Sequence, residues 1–171
     1  MARCVFFSFH YQHDIFRVNT VRNHFVTKGG YNVSGYRDRS LWEKAKTTNP
    51  PALKRMINGA LDGTTVTVVL IGAKTADRPW VQYEIEKSYD RGNGLLGIYI
   101  HNIRCAVARR TGFKGRNPFD NYTIEKPSRF SYMASIKASM STLYPTYDWV
   151  LDSGYNNFST WVENAAKAAG K

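Results

Sequence analysis

The residues best suited to chemistry lie in the segment WVQYEIEKSYDRG, from Trp80 to Gly92. Wound as a helix, this segment puts Trp80, Glu84 and Lys87 or Ser88 on one face, beside an apolar stripe of Val81 and Ile85. Glu84 is thereby expected at the edge of a core. Glu86 lies about 200° away around the helix, so it should face solvent and serves as an internal control. Helix geometry alone favours the plainer reading, an exposed glutamate beside a packing tryptophan. A second group, Ser8, Phe9 and His10, closes the first apolar run of the chain. A backbone amide, a hydroxyl and a ring there could meet a ligand, although Phe9 reads equally well as core and Ser8 and His10 as strand end and turn cap. A third pair, Asp38 and Trp42, stands in a long polar stretch, RDRSLWEKAKTTN, of the kind that often carries function. His10, His13 and His24 have no carboxylate or cysteine partners at metal-ligand spacing, so no metal site is expected. GxGxxG, GK[ST], HExxH, paired CxxC and GxSxG patterns are all absent, which removes many familiar sites.

The elements that must position these residues alternate in type. RCVFFSF (3–9) is a nearly continuous apolar run, as in a parallel strand buried on both faces. Ile15, Val18, Val21 and Phe25 then recur at roughly helical spacing before Gly29 and Gly30. A short strand is expected within Tyr31 to Tyr36. Pro50 and Pro51 open a second helix, whose Leu53, Met56, Ile57, Ala60 and Leu61 follow the i, i+3, i+4, i+7, i+8 rule. TTVTVVLI (64–71) is the clearest buried strand, rich in β-branched residues. Asp77 and Pro79 mark the start of the Glu84 helix, and LLGIYI (95–100) is a further strand. This alternation predicts an α/β fold with a mostly parallel central sheet and helices on both faces. In a flavodoxin-like order, 2-1-3-4-5, the switch point falls between the strands ending near Phe9 and Ile71, where ligands bind at carboxyl edges. Beyond His101 the pattern weakens. Residues around 101–127 read as a surface excursion, and helix-like stretches near Ser128–Met140 and Phe158–Ala169 form a C-terminal extension of the single domain, 1–171.

Composition narrows the class. One domain of 171 residues can bury about two thirds of its unfolded surface. No run approaches the roughly 18 apolar residues of a membrane span, and the N-terminal apolar run ends in histidines and an aspartate where a signal peptide would carry small residues. Two cysteines, Cys4 and Cys105, cannot build a disulfide scaffold, which fits a reducing cytoplasm. A net charge of +11, from 24 Lys and Arg against 13 Asp and Glu, draws anions of any kind. The basic residues are dispersed, with small clusters at Arg109–Arg110 and Lys114–Arg116, so a nucleic-acid stripe is not evident.

The spacing Trp80-Val81-Gln82-Tyr83-Glu84 resembles the W-x-x-x-E element of NAD-consuming TIR domains. VFFSFHYQ, ALKRMINGAL followed by VTVVLIG, WVQYEIEKS, RNPFD and YDWVLDSGYNNFSTWV extend the likeness over nearly the whole chain, toward the TIR-like ThsB family of the Thoeris antiphage system. The resemblance implies a TIR fold and an activity in which NAD, as substrate and not cofactor, loses nicotinamide and its ADP-ribose portion is cyclised. The messenger would activate a Thoeris effector after a phage trigger. Glu84 then becomes the catalytic residue, holding ribose hydroxyls and stabilising an oxocarbenium-like charge. Ser8, Phe9, His10, Asp38, Trp42 and Trp80 become substrate-binding candidates. The loop of Asp38 and Trp42 corresponds by position to the TIR loop that shapes substrate access and self-association, although it lacks that loop's usual proline; a homo-oligomer is one expectation. The alternative is a non-catalytic TIR-like adaptor working through protein association, with Glu84 structural.

Overall fold

The computed structural model describes residues 3–27, 32–34, 49–126 and 136–171. Strand β1 (Cys4–Phe9) leads into helix α1 (Tyr11–Thr27), strand β2 (Asn32–Ser34), helix α2 (Pro50–Leu61), strand β3 (Val66–Ile71), helix α3 (Pro79–Asp90) and strand β4 (Gly94–Tyr99). Asn49 caps α2 by accepting from the Ala52 amide at 3.1 Å, and two prolines sit in its first turn, where amides have no helical partner. Proline also opens α3. Asp77, expected at that start, instead ends a 3-10 turn (Thr75–Asp77), and Arg78 stands at the cap position without a side-chain bond.

All five strands of the main sheet run parallel, in the order β2-β1-β3-β4-β7, where β7 is Thr146–Asp148. The first four positions match a flavodoxin-like order, and the chain reverses direction across the sheet between β1 and β3. Alternation along each strand sorts the two faces. Val5, Phe7, Phe9, Val66, Val68, Leu70, Leu96 and Ile98 pack under α1 and the last helix, α5 (Gly154–Ala168), which adds Phe158, Trp161 and Val162. The other face carries Phe6, Val69, Ile71 and Leu95 against α2 and α3, whose buried residues include Leu53, Ile57, Leu61, Val81 and Ile85. Burying apolar side chains on both faces is why β3 reads as an unbroken apolar run. Gly94 begins β4 directly beneath α5, where a Cβ would overlap the Ala165 carbonyl. Close helix–sheet packing there requires glycine.

The later chain departs from the sequence expectation in more than β7, a strand that the local pattern did not announce. Ile136–Ser139, expected as helix, is strand β6, paired antiparallel with β5 (Thr123–Lys126) in a separate two-stranded sheet. Residues 128–135 lie outside the described residues. Pairing across the strands, Ile124 opposite Ala138 and Glu125 opposite Lys137, outweighs the local helical pattern. The helix α4 begins only at Met140 and ends at Leu143. Between β4 and β5 the chain runs over the surface with Val107 and Phe113 exposed, then drives Phe119 fully into the core from the 3-10 turn Pro118–Asn121. None of the described helices is long and apolar enough to cross a membrane.

Candidate active site

Helix α3 owes its orientation to an apolar stripe and to a buried chain of hydroxyls. Val81 and Ile85 bury against Val69, Ile71 and Leu95. Ser88 and Thr67, both fully buried, are linked by a bond from Thr67 Oγ1 to Ser88 Oγ at 2.8 Å, and Ser88 Oγ donates in turn to the Glu84 carbonyl at 2.6 Å. Asn93 Nδ2 extends this chain, donating to Thr64 Oγ1 at 2.8 Å and more weakly to Thr67 Oγ1 at 3.5 Å. Hydrogen bonds in series inside a low-dielectric layer polarise one another and hold the helix in one rotation about its axis.

That rotation aims the Glu84 side chain at β1. Ser8, paired in register with Val69, points toward α3, and its Oγ donates to Glu84 Oε2 at 2.5 Å. The serine is fully buried and the glutamate 2 % exposed, so the carboxylate lies deeper than the core edge expected of it. Charged groups are almost never buried this far unless something holds them. Glu86, by contrast, is exposed, as helix geometry required. Its charge acts on Tyr122, whose phenol is pushed up first by burial and then by Glu86, while the hydroxyl donates to the Gln82 carbonyl at 2.9 Å.

The other candidates separate. Phe9 packs on the opposite face of the sheet with Val18, Val21 and Phe25 of α1, away from Glu84. His10 is buried between β1 and α1, its ring 5.0 Å from that of His13. Trp80 is half-buried against Phe6, Leu53 and Ile57 and meets Tyr83 edge-to-face at 6.1 Å, so it braces α3 against α2. Asp38 and Trp42 lie outside the described residues. The structure therefore brings Glu84 and Ser8 together, both near the β1/β3 switch point, where ligands of such sheets bind.

Two features were missed in the sequence. At the carboxyl ends of β4 and β7, Asp148 Oδ2 accepts from Asn102 Nδ2 at 2.9 Å and lies 3.6 Å from His101 Nδ1, while Oδ1 accepts from the amides of Val150 and Leu151. Burial lowers the His101 pKa, with Asp148 pulling it up. This cluster ties two strand ends together, and nothing in the local sequence signals it. The second is Asp14, which occupies the first position of the stripe Asp14, Val18, Val21, Phe25 and is 4 % exposed. A polar residue on an apolar stripe was the available signal. A cavity of about 810 Å³ opens at the opposite, amino end of β4 between Tyr89, Asn93, Tyr144 and Ala165. It touches neither Ser8 nor Glu84, and volume alone is a poorer guide here than the buried carboxylate.

Comparison with known proteins identifies the family of the chain. A family model described as the Thoeris protein ThsB, TIR-like domain, matches residues 6–104, a span that contains Ser8, Thr67 and Glu84. ThsB1 of Bacillus cereus, which is named as a proposed cyclic ADP-D-ribose synthase, is 45% identical over 192 aligned positions covering 95% of this chain and 100% of the relative. The parallel sheet, the helix carrying Glu84 and the two matches agree that this chain belongs to the ThsB family of TIR-like proteins.

Proposed function

We propose that this protein cleaves NAD between nicotinamide and ribose and closes the remaining ADP-ribose into a cyclic messenger that acts on a Thoeris effector. The observation that carries the reading is the buried carboxylate of Glu84, held by the Ser8 hydroxyl near the β1/β3 switch point. The name of the relative ThsB1, as a proposed cyclic ADP-D-ribose synthase, points the same way.

The chemistry asks little beyond such a group. Nicotinamide in NAD is cationic, so it leaves with the electron pair of the C–N bond as a neutral molecule and needs no acid. The ribosyl carbon left behind becomes oxocarbenium-like, and a fixed carboxylate nearby stabilises it more than water would, because the charge does not have to reorganise its surroundings. Ser8 keeps one oxygen of Glu84 in place. Ring closure requires a hydroxyl of the same molecule to bond to that carbon and lose its proton before water does, which favours an oriented, dry site. The burial of Glu84 supplies the dryness. It also means that a dinucleotide reaches the carboxylate only when the site opens, consistent with an enzyme that waits for a phage signal. The net charge of +11 favours the approach of an anionic substrate.

The test compares wild type, Glu84→Gln and Glu86→Gln incubated with NAD, with and without lysate from phage-infected cells, products being resolved by mass spectrometry. Nicotinamide release with an ADP-ribose-minus-water product, lost in Glu84→Gln and kept in Glu86→Gln, is expected. Linear ADP-ribose alone would make the protein a plain NAD hydrolase, and equal activity of the two variants would remove Glu84 from the mechanism. A wild type inert toward NAD under every condition would leave an adaptor acting by protein association.

A further inference from the structure

Asp14 is a buried carboxyl that nothing so far employs. It is 4 % exposed, and its Oδ2 has no hydrogen-bond partner. The carboxyl lies against Gly72, the residue that follows β3, where a Cβ would overlap it. The Gly72 amide is already committed to Thr75 Oγ1 at 2.9 Å. Arg17, one turn along α1, spends its guanidinium on the carbonyls of Ile103 and Arg110.

An acidic side chain in the first turn of a helix is ordinary when it is hydrated or caps an amide, because it complements the helix dipole. Asp14 does neither. Burial pushes its carboxyl above the usual carboxylate range, outweighing the pull of Arg17 and His13. A buried group left unsatisfied costs more than the dipole returns, so one that persists calls for an explanation, a functional role among them.

Its position says which ligand. Ser8, which holds Glu84, is in register with Val69 of β3, and Gly72 stands three residues further along the chain, just past the end of that strand. At about 3.3 Å per residue, Asp14 and the Ser8–Glu84 pair are separated by roughly 10 Å along the β1/β3 crevice. Asp14 approaches from the α1 face of the sheet and Glu84 from the α3 face, so the two carboxyls bracket the carboxyl edge. That separation suits the two ends of a dinucleotide.

We infer that Asp14 is a substrate-contacting residue, accepting a hydrogen bond from a hydroxyl or amine of the adenosine half of NAD while Glu84 attends the nicotinamide ribose; this rests on the NAD reading above. The nucleophile of ring closure belongs to the adenosine half, since the nicotinamide ribose cannot form a large ring with itself. Asp14 thus bears on product choice as well as affinity.

The experiment measures KM, kcat for nicotinamide release, the ratio of cyclic to linear product and the melting temperature for wild type, Asp14→Ala and Asp14→Asn. Asp14→Ala is expected to raise KM at least fivefold and to shift product from cyclic toward linear ADP-ribose, with kcat within about threefold of wild type and no loss of melting temperature. Asp14→Asn, which keeps an acceptor oxygen, should recover part of both effects. Wild-type KM and product ratio in Asp14→Ala would overturn the assignment. If Asp14→Ala fails to fold, the near-isosteric Asp14→Leu, which has no acceptor oxygen, decides, an unchanged KM and product ratio again counting against the assignment. A wild type that does not turn over NAD would overturn the underlying reading and this one together, whereas an active wild type with indifferent Asp14 variants would sink this inference alone.

Discussion

The hydroxyl chain beneath Glu84 makes a prediction that simple contact counting would get wrong. In Ser88→Ala the Thr67 hydroxyl loses its acceptor while remaining fully buried, and it is left as a stranded donor. Stranding one buried donor costs about 1–3 kcal/mol. In a domain of this size each kcal/mol lowers the melting temperature by about 2–4 °C, so a fall between about 2 and 12 °C is expected. Thr67→Val keeps the shape of the side chain and strands less: Ser88 still donates to the Glu84 carbonyl, and Asn93 still donates to Thr64. Its cost should stay below about 1 kcal/mol, because losing an acceptor for a hydroxyl that still donates is cheaper than burying an unpaired donor. The double variant removes both hydroxyls together, and no donor is stranded. It should therefore be more stable than Ser88→Ala alone, a coupling of about 1–2 kcal/mol in the double-mutant cycle. Urea unfolding of the four proteins with a common m-value measures this directly. If the double variant loses the sum of the two single losses, or if Thr67→Val costs as much as Ser88→Ala, the directional chain described above is wrong.

Gly72→Ala should destabilise the protein by about 1–3 kcal/mol through overlap with the Asp14 carboxyl, and Gly72→Ala/Asp14→Ala should regain most of it; a double variant no better than the single would show that the two residues do not touch. Because the folded Asp14 pKa is raised, the folded state binds the proton more tightly than the unfolded chain, and stability is lost as pH rises from about 4 through the folded value. Asp14→Asn should therefore gain stability over wild type at pH 8 and show that gain shrink at pH 4; a gain independent of pH would contradict a buried, raised carboxyl. Phe119→Ala should cost about 3–5 kcal/mol in a denaturant melt, since this fully buried ring anchors the long surface segment to the α3 face, and a loss under about 1 kcal/mol would mean that the segment is not integral to the core.

Much of the fold can be read without coordinates, because local rules govern it. Val18, Val21 and Phe25, or Leu53, Ile57 and Leu61, reveal helices and the faces they bury at a spacing of three or four residues. The six residues of β3 announce a doubly covered strand. The failures fall where local pattern is weak: β7 has three residues, and β6 carries a composition that suits a helix until β5 pairs with it. At the site, the amino-acid sequence by itself determined that Glu84 faces inward and Glu86 outward, since both follow from one helical period. It could not decide between a solvated glutamate and a buried, held carboxylate. That choice depends on Ser8, 76 residues earlier, whose hydroxyl meets Glu84 only because β1 and β3 pair in a particular register. The same register sends Phe9 to the opposite face and brings Gly72 beneath Asp14. Tertiary structure made these decisions because contacts across so many residues have no period, and a register shift of one residue would exchange the faces of Ser8 and Phe9.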